Sequence, residues 1–489
     1  MTAPAEPLQG ACEAPTAGHR ATARAGERHL LLAALAVAAG LIVPFALVHV
    51  DDADGVVYTV VARHLAQDGR PFDLRFLPEV LPRFREHPPF FFWVWAAAIR
   101  LASERALPWV GAACGLATVA VAFAIGRRLA GPRAAFLGSV ALATVDSFFR
   151  YQARARLDPP LTLLFTLSVG LLVCARGRTA LLALGGLAAG LGVLVKGPPA
   201  LGAPVAAALM LVALGRGAEL RPPRAWAAVT LAVVALPAAF LAYDHVALGG
   251  TWWRGYVVDQ VLASLLGRRH DSQHGVARGF LVLETLGRLG PWALAVCWAL
   301  WRAARAPAAP RARAAWALAA WAALVVLGYS LPARAFWHYT MPAYVPLSLL
   351  AGLGLEEAIE RAGDAAFRWT RAVVAAAAVA LLGLLPFGAV TFNVRPCPLG
   401  PLTPGAAALA GRGRGVALVT GRAALAEAGI LAQHAGLDAV VLRAPADLRA
   451  RPDVRAALID VALDVPAGWV AVARNPDWIL AGRAEPPTP

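Results

Sequence analysis

Residues 51–93 open with Asp51-Asp52-Ala53-Asp54-Gly55-Val56-Val57-Tyr58-Thr59-Val60-Val61-Ala62-Arg63 and close with Arg85-Glu86-His87-Pro88-Pro89-Phe90-Phe91-Phe92-Trp93. An apolar run, 29–50, precedes them, and two more, 90–102 and 106–126, follow. Ionisable groups set beside so much membrane-facing sequence are costly and are kept for function. The stretch is therefore read as a chemically active loop at a membrane surface. Its Pro88-Pro89 pair breaks any helix there, so that the adjacent acid faces a cavity.

The bulk composition fits that reading. The chain of 489 residues is 59% hydrophobic and 15% charged, with a mean hydropathy of +0.60. Soluble domains carry roughly a quarter of their residues as charges, so the expected class is an integral membrane protein. The net charge of +15 comes from arginines in short loops beside apolar runs, where they set topology and touch lipid headgroups. No long basic run is interleaved with aromatics, which argues against nucleic acid. The five cysteines (Cys12, Cys114, Cys174, Cys297, Cys397) are scattered without CxxC or zinc spacing, so neither a disulfide framework nor a cysteine metal site is expected. Of 45 basic residues only Lys196 is a lysine. A chain that uses arginine elsewhere has a compact ammonium at one position, and chance survival is the alternative to a chemical need for it there.

Outward from the loop, the run at 29–50 has about the twenty residues that cross a bilayer as a helix. It is read as an uncleaved first span, with a basic tail at 1–28 (Arg20, Arg24, Arg28) inside and Asp51 emerging outside. Val56, Val57, Val60, Val61 and Leu65 share one helical face, which suggests an amphipathic helix lying in the interface. The run at 90–102 is too short to cross comfortably. Treated as a partial or re-entrant segment, it leaves the loop after 106–126 (Arg127, Arg128, Arg133) inside. Further spans are expected near 134–150, 159–175, 179–195, 199–214, 225–246, 280–301, 314–331, 339–356 and 368–391. The fold class is then an all-α polytopic membrane protein of about 11–13 transmembrane helices, within a domain at 29–391. Trp252 and Trp253 read as interface anchors. After a Pro-rich linker at 392–404, residues 405–489 read as a small extracytoplasmic α/β domain, with strands at 415–420, 438–443 and 468–474 and a helix near 422–435.

In this topology Asp51, Asp52, Asp54, Glu86, Asp158, Lys196, Asp244, His270 and His338 all fall at or beyond the outer ends of spans, and almost no charge lies mid-span. A secondary transporter places its ionisable site near the midplane, on broken helices of repeated halves; neither is visible. One wet face rich in acid, base and imidazole is what an interfacial enzyme needs. A lipid or sugar transporter and a non-catalytic membrane scaffold are the alternatives.

Five motifs then occur in series. Asp54 stands four residues before Tyr58, followed by Ala62-Arg63; this resembles the DE-x-x-Y-x-x-x-A-R opening of polytopic GT-C glycosyltransferases. Glu86-His87-Pro88-Pro89 with Trp93 is similar to that superfamily's E-K-P-P-x-x-x-W. Ala155-Arg156-Leu157-Asp158-Pro159-Pro160-Leu161-Thr162 resembles A-R-L-D-x-P-L-T, and Gly190 to Pro198 resembles G-L-x-x-L-x-K-G-P. His338-Tyr339-Thr340-Met341-Pro342-Ala343-Tyr344 is similar to the tyrosine-proline loop that opens a late span. The nearest branch is the lipid A aminoarabinose transferases and the protein mannosyltransferase-like enzymes. Two departures stand out: Gly55 takes the place of the second acid, and His87 takes the place of the lysine, exchanging a permanent charge for a titratable one.

The resemblance implies a polyprenyl-phosphate-linked sugar as donor, a lipid, glycan or protein as acceptor, the plasma membrane as location and no nucleic acid. It implies Asp54 as carboxylate base, with Asp158 positioning it or binding sugar. Lys196, Arg156 and Arg154 would stabilise the departing phosphate, with His87, Tyr58 and Tyr339 beside the substrate. An acid of the E-K-P-P motif holds a divalent metal cation in family members; Glu86 with His338 is the corresponding pair here, and two ligands are too few to make a site. Helix capping by Asp54 or Asp158, and an interfacial hydrogen-bonding role for His338, are the plainer alternatives. His270 and Asp271 read as a solvated loop corner.

Overall fold

The computed structural model describes residues 17–47, 53–77, 81–266, 268, 276–331, 334–384, 399, 401–410, 416–420, 431 and 439–484. Asp51, Asp52, His270, Asp271, nearly all of the expected helix at 422–435 and most of the linker lie outside the described residues.

The fold is an all-α polytopic membrane bundle with a small α/β domain at its C-terminal end. In chain order the helices are α1 (Ala17–Leu47), α2 (Ala53–Asp68), α3 (Phe90–Leu101), α4 (Leu107–Ala130), α5 (Pro132–Thr144), α6 (Asp146–Gln152), α7 (Asp158–Cys174), α8 (Thr179–Lys196), α9 (Gly202–Ala213) and α10 (Pro223–Ala247). A π-helix (Trp253–Leu262) and the single turn α11 (Ala263–Leu265) follow. Then come α12 (Leu281–Leu289), α13 (Trp292–Arg305), α14 (Pro310–Tyr329), α15 (Met341–Ala362), α16 (Asp364–Leu384) and α17 (Thr403–Ala410).

Among the described residues, five segments are long and apolar enough to cross a membrane alone: Ala25–Leu47, Glu104–Ala130, Thr179–Lys196, Pro223–Ala247 and Pro310–Tyr329. Two of the expected spans are broken. The run at 134–150 is α5 plus α6, parted where Val145 turns extended. The run at 280–301 is α12 plus α13, parted at Gly290 with φ +65° and Pro291. The two breaks meet, since the Trp292 indole donates to the Thr144 hydroxyl at 3.1 Å. Hydropathy does not register either break, because both halves of each run are apolar. Helix α3, at 12 residues, spans about 18 Å and falls short of a hydrocarbon core of about 30 Å, in keeping with a partial segment.

The bundle core is closed by small residues. Helix α15 is buried along nearly all of Met341–Gly354, and it crosses α5 where Gly352 lies against the Ala134 carbonyl and the Gly138 backbone. Gly186 and Gly190 of α8 meet the backbone of Val229 and Val233 on α10 in the same way. Such contacts let helix axes approach without a hydrophobic driving force between them. A side chain at position 352 has nowhere to go: Gly352→Leu is expected to destabilise the bundle by about 1–3 kcal/mol, read as a fall in detergent-solubilised Tm, whereas Gly328→Ala in α14, where a Cβ meets only open space, leaves Tm unchanged or slightly raised.

Helix α2, for which the valine spacing predicts one apolar face, is covered on more than that face. Val56, Val57, Tyr58, Thr59, Val60, Val61, Ala62 and Leu65 of α2 are all buried, so the helix is enclosed on most sides. Tyr58 is ringed by Phe84, Phe92 and Trp95 at centroid distances of 5.6–6.0 Å. The period of the valines is that of one face, but Leu74, Phe76, Leu77, Phe84 and α3 also pack around the helix, which periodicity cannot show.

A two-residue antiparallel ladder, β1 (Val276–Ala277) on β2 (Arg334–Ala335), ties two loops at the site end. The C-terminal sheet has β3 (Val416–Val419), β4 (Ala439–Leu442), β5 (Ala456–Asp460), β6 (Trp469–Arg474) and β7 (Trp478–Arg483) in the order β4-β3-β5-β7-β6. Strands β4, β3 and β5 are parallel, with Val416 level with both Ala439 and Ala456; β7 runs antiparallel to β5 and β6. Three of these strands sit where the sequence put them. Strands β5 and β7 were not expected; the alanine-rich Ala456-Ala457 start of β5 has weak strand preference and owes its form to pairing on both edges.

Candidate active site

Two helix ends build the centre. Asp158 begins α7, with prolines at its first helical positions, and Lys196 ends α8. A carboxylate at a helix N-terminus and an ammonium at a C-terminus each complement the helix dipole. Lys196 Nζ donates to Asp158 Oδ1 at 2.6 Å, with the two side chains 10% and 4% exposed. The ammonium also lies 4.6 Å from the centre of the Tyr339 ring. A compact cation fits between carboxylate and ring, which gives the chain's one lysine a structural reason.

Gly197 follows with φ +88°. Its missing side chain admits Tyr256, whose hydroxyl sits where a Cβ would be and donates to the Lys196 carbonyl at 3.2 Å. Tyr256 is carried by the π-helix Trp253–Leu262, a form concentrated at functional sites. Gly197→Ala is therefore expected to lower Tm by more than Tyr256→Phe does. The first adds a steric overlap and a strained φ, while the second removes one hydrogen bond of about 1 kcal/mol.

Arg156 makes the second pair. Its guanidinium contacts Asp54 Oδ2 at 3.1 Å and His338 Nε2 at 3.4 Å, and lies 4.7 Å from the centre of the Tyr151 ring. Arg154 lies 4.8 Å from the centre of the same ring. His338 is stacked between Tyr151 (5.6 Å) and Phe336 (5.5 Å). Exposure divides the carboxylates: the Asp54 side chain is 47% exposed, while that of Asp158 is 4% exposed. Asp54 lies in the first turn of α2, so the helix dipole favours its charge.

Tyr58 and His87 add a third arm, sharing a hydrogen bond of 2.8 Å between Oη and Nε2. Burial pushes the Tyr58 phenol well above its usual range, and the nearby carboxylates of Asp54 and Glu86 push it further, against Arg156. The group stays a neutral phenol. Glu86 is half-buried and close enough for its charge to act on Tyr58. Among the described residues no three His, Cys, Asp or Glu side chains cluster as metal ligands, and the Arg156 guanidinium already lies against Nε2 of His338. Glu86 and His338 alone offer two ligands at most, too few to make a divalent-cation site.

The structure thus brings Asp54, Arg156, His338, Tyr151 and Arg154 into one connected group, and Asp158, Lys196, Tyr339 and Tyr256 into another. His338 and Tyr339 are adjacent, with rings 4.8 Å apart, and join the two. Sequence reasoning missed Tyr151, Tyr256 and Arg85. Arg85 lies 4.4 Å from the centre of the Trp252 ring and donates to the Leu74 and Phe84 carbonyls. Trp252 is fully buried and only Trp253, 51% exposed, faces outward, so the two tryptophans do not act together as interface anchors. Asp244, buried, accepts from the backbone N–H groups of Trp252 (3.0 Å) and Trp253 (2.8 Å); it shapes this loop.

Comparison with known proteins agrees with this architecture. Residues 86–241 match the family model for dolichyl-phosphate-mannose-protein mannosyltransferase, a segment that includes Glu86, Asp158 and Lys196. The fold is similar to that of ArnT from Cupriavidus metallidurans bound to undecaprenyl phosphate, with TM-score 0.65, 17% identity, and coverage of 94% of this chain and 98% of that one. The apo state of the same protein gives TM-score 0.65 at 18% identity, covering 95% and 100%. Archaeal oligosaccharyltransferase AglB from Archaeoglobus fulgidus, in complex with an inhibitory peptide and a dolichol-phosphate, gives TM-score 0.54 at 12% identity, covering 90% and 70%. No curated protein sequence matches the chain. The chain thus shares the fold of ArnT and AglB, and its residues 86–241 resemble the protein mannosyltransferases.

Proposed function

We propose that this chain is an inverting glycosyltransferase that moves a sugar from a polyprenyl phosphate to an acceptor at the outer face of the plasma membrane. The observation that carries the reading is a half-exposed carboxylate, Asp54, held on a buried cation, Arg156, beside the buried Asp158–Lys196 pair. The similar folds of ArnT and AglB, solved with undecaprenyl phosphate and dolichol-phosphate, support a lipid-linked donor.

The chemistry follows from the charges. The acceptor hydroxyl oxygen bonds to the anomeric carbon as the bond from that carbon to the phosphate oxygen breaks. The hydroxyl proton passes to Asp54, and the bonding pair leaves with the polyprenyl phosphate. That leaving group needs positive charge rather than a proton, and Lys196, Arg156 and Arg154 supply it. A single displacement inverts the anomeric centre. Asp158, 4% exposed, is shielded from an incoming acceptor and acts by holding Lys196. Tyr58 and His87, joined by a hydrogen bond, stand on the Glu86 side, and Tyr339 backs the ammonium.

The acceptor is lipid A, another envelope glycan or a protein. A phosphate acceptor is already nucleophilic and needs no base, so the dependence of rate on Asp54 separates phosphate from hydroxyl acceptors.

The test is a purified assay with radiolabelled polyprenyl-phosphate sugars, offered with lipid A, envelope glycans and peptides, with EDTA or with divalent cations. Transfer of label to one acceptor class supports the reading. Absence of transfer from every polyprenyl donor, metal supplied, counts against it; movement of intact donor across a liposome without transfer assigns the chain to the transporters instead.

A further inference from the structure

We propose that the cleft between α1 and α4, at the end of the bundle away from Asp54, binds the headgroup of an anionic phospholipid from that leaflet. The inference is independent of the reading of the active site. The cleft has a volume of about 300 Å³ and is lined by Glu27, Arg28 and Leu31 of α1 and by Ala120, Phe123, Ala124 and Arg127 of α4. On α4 these positions follow one helical stripe at i, i+3, i+4 and i+7, and those of α1 fall within one turn. Ala120 and Ala124 make the room, since each leaves a gap where a larger side chain would seal the two helices together.

The position identifies the occupant. The apolar segment of α1, Ala25–Leu47, has 23 residues, about 34 Å of helix, and Asp54 follows its far end. The cleft therefore opens at the opposite membrane surface. Its walls are apolar and its rim carries two arginines against one acid, Glu27, which is already paired with Arg127. Arg128 adds a further exposed cation at the same helix end. Apolar walls below a net positive rim match a phosphodiester headgroup with its first acyl carbons. Leu32, 60% exposed on the same turn of α1, offers a surface along which the acyl chains can run. A free anion would use the rim but gain nothing from the walls.

The experiment uses the full chain in mild detergent, delipidated, then titrated with phosphatidylglycerol, phosphatidylcholine or inorganic phosphate. Native mass spectrometry counts retained lipid and a melting curve reads its effect. Phosphatidylglycerol is expected to be retained and to raise Tm, in the manner of any ligand that binds the folded state alone, while phosphatidylcholine and inorganic phosphate do neither. Ala124→Phe, which fills the cleft without changing charge, and Arg28→Gln, which removes a charge-assisted contact at the rim, are each expected to cut retained phosphatidylglycerol at least ~5-fold. Monodispersity in detergent alone serves as the folding control. Equal retention of the two lipids, undiminished retention by a monodisperse Ala124→Phe variant, or an equal Tm rise with inorganic phosphate would overturn the proposal.

Discussion

Asp54→Asn is expected to slow transfer to a hydroxyl acceptor by about 10²–10⁴-fold, the usual contribution of a positioned general base. Asparagine keeps the shape of the side chain and can still accept from Arg156, but it cannot take the proton. Because the Asp54 side chain is 47% exposed, the substitution should cost little stability. Arg156, 7% exposed, keeps its contacts with His338 and Tyr151. The measurement is single-turnover transfer at saturating donor, with Tm recorded alongside. A fall in rate with Tm and donor affinity unchanged assigns Asp54 to the chemical step. A rate equal to wild type with a hydroxyl acceptor would remove it from the mechanism.

Lys196→Ala has a second large expected effect, with two parts to separate. Removing the ammonium leaves Asp158, 4% exposed, without its counter-ion. An uncompensated buried charge costs about 3–5 kcal/mol. The same change removes positive charge from the departing phosphate, for which losses of about 10²–10³-fold are typical of a single stabilising group. The double variant Lys196→Ala with Asp158→Asn takes away both charges, so it should recover most of the lost Tm while leaving transfer depressed. Lys196→Arg restores charge, but the planar guanidinium is bulkier than the ammonium held between Asp158 and Tyr339, and only partial activity is expected. Wild-type turnover by a well-folded double variant would show that Lys196 is structural alone.

These two residues also show how far the sequence can be read. Lys196 drew attention as the chain's one lysine, and Asp54 through its register with Tyr58; both are features of the string itself. Tyr256 was invisible, because its role depends on Gly197 lacking a side chain 59 positions earlier in the chain and on a π-helix that hydropathy does not register. In the sequence Tyr151 is one aromatic among many, and its role comes from the Arg154 and Arg156 guanidinium groups that lie over its ring. The enclosure of α2 is hidden from the sequence for a related reason. The valine period reports one apolar face, and burial of Tyr58 and Thr59 comes from chain that folds back over it.

What the sequence by itself determined is the membrane class, the run of helices, the end of the bundle at which charge collects and most of the residues that the fold gathers into the candidate site. Those follow from local quantities: hydropathy over a span's length, helix breaks at proline, and arginines confined to short loops. Only the tertiary structure decided the pairing. It set Asp158 on Lys196 across 38 positions and Arg156 on His338 across 182, left Asp54 half-exposed while sealing Asp158, and broke two apolar runs that read as single spans. Those outcomes depend on which helix ends meet and on where glycines let backbones touch, and the energy of such contacts is not carried by any one segment of the chain.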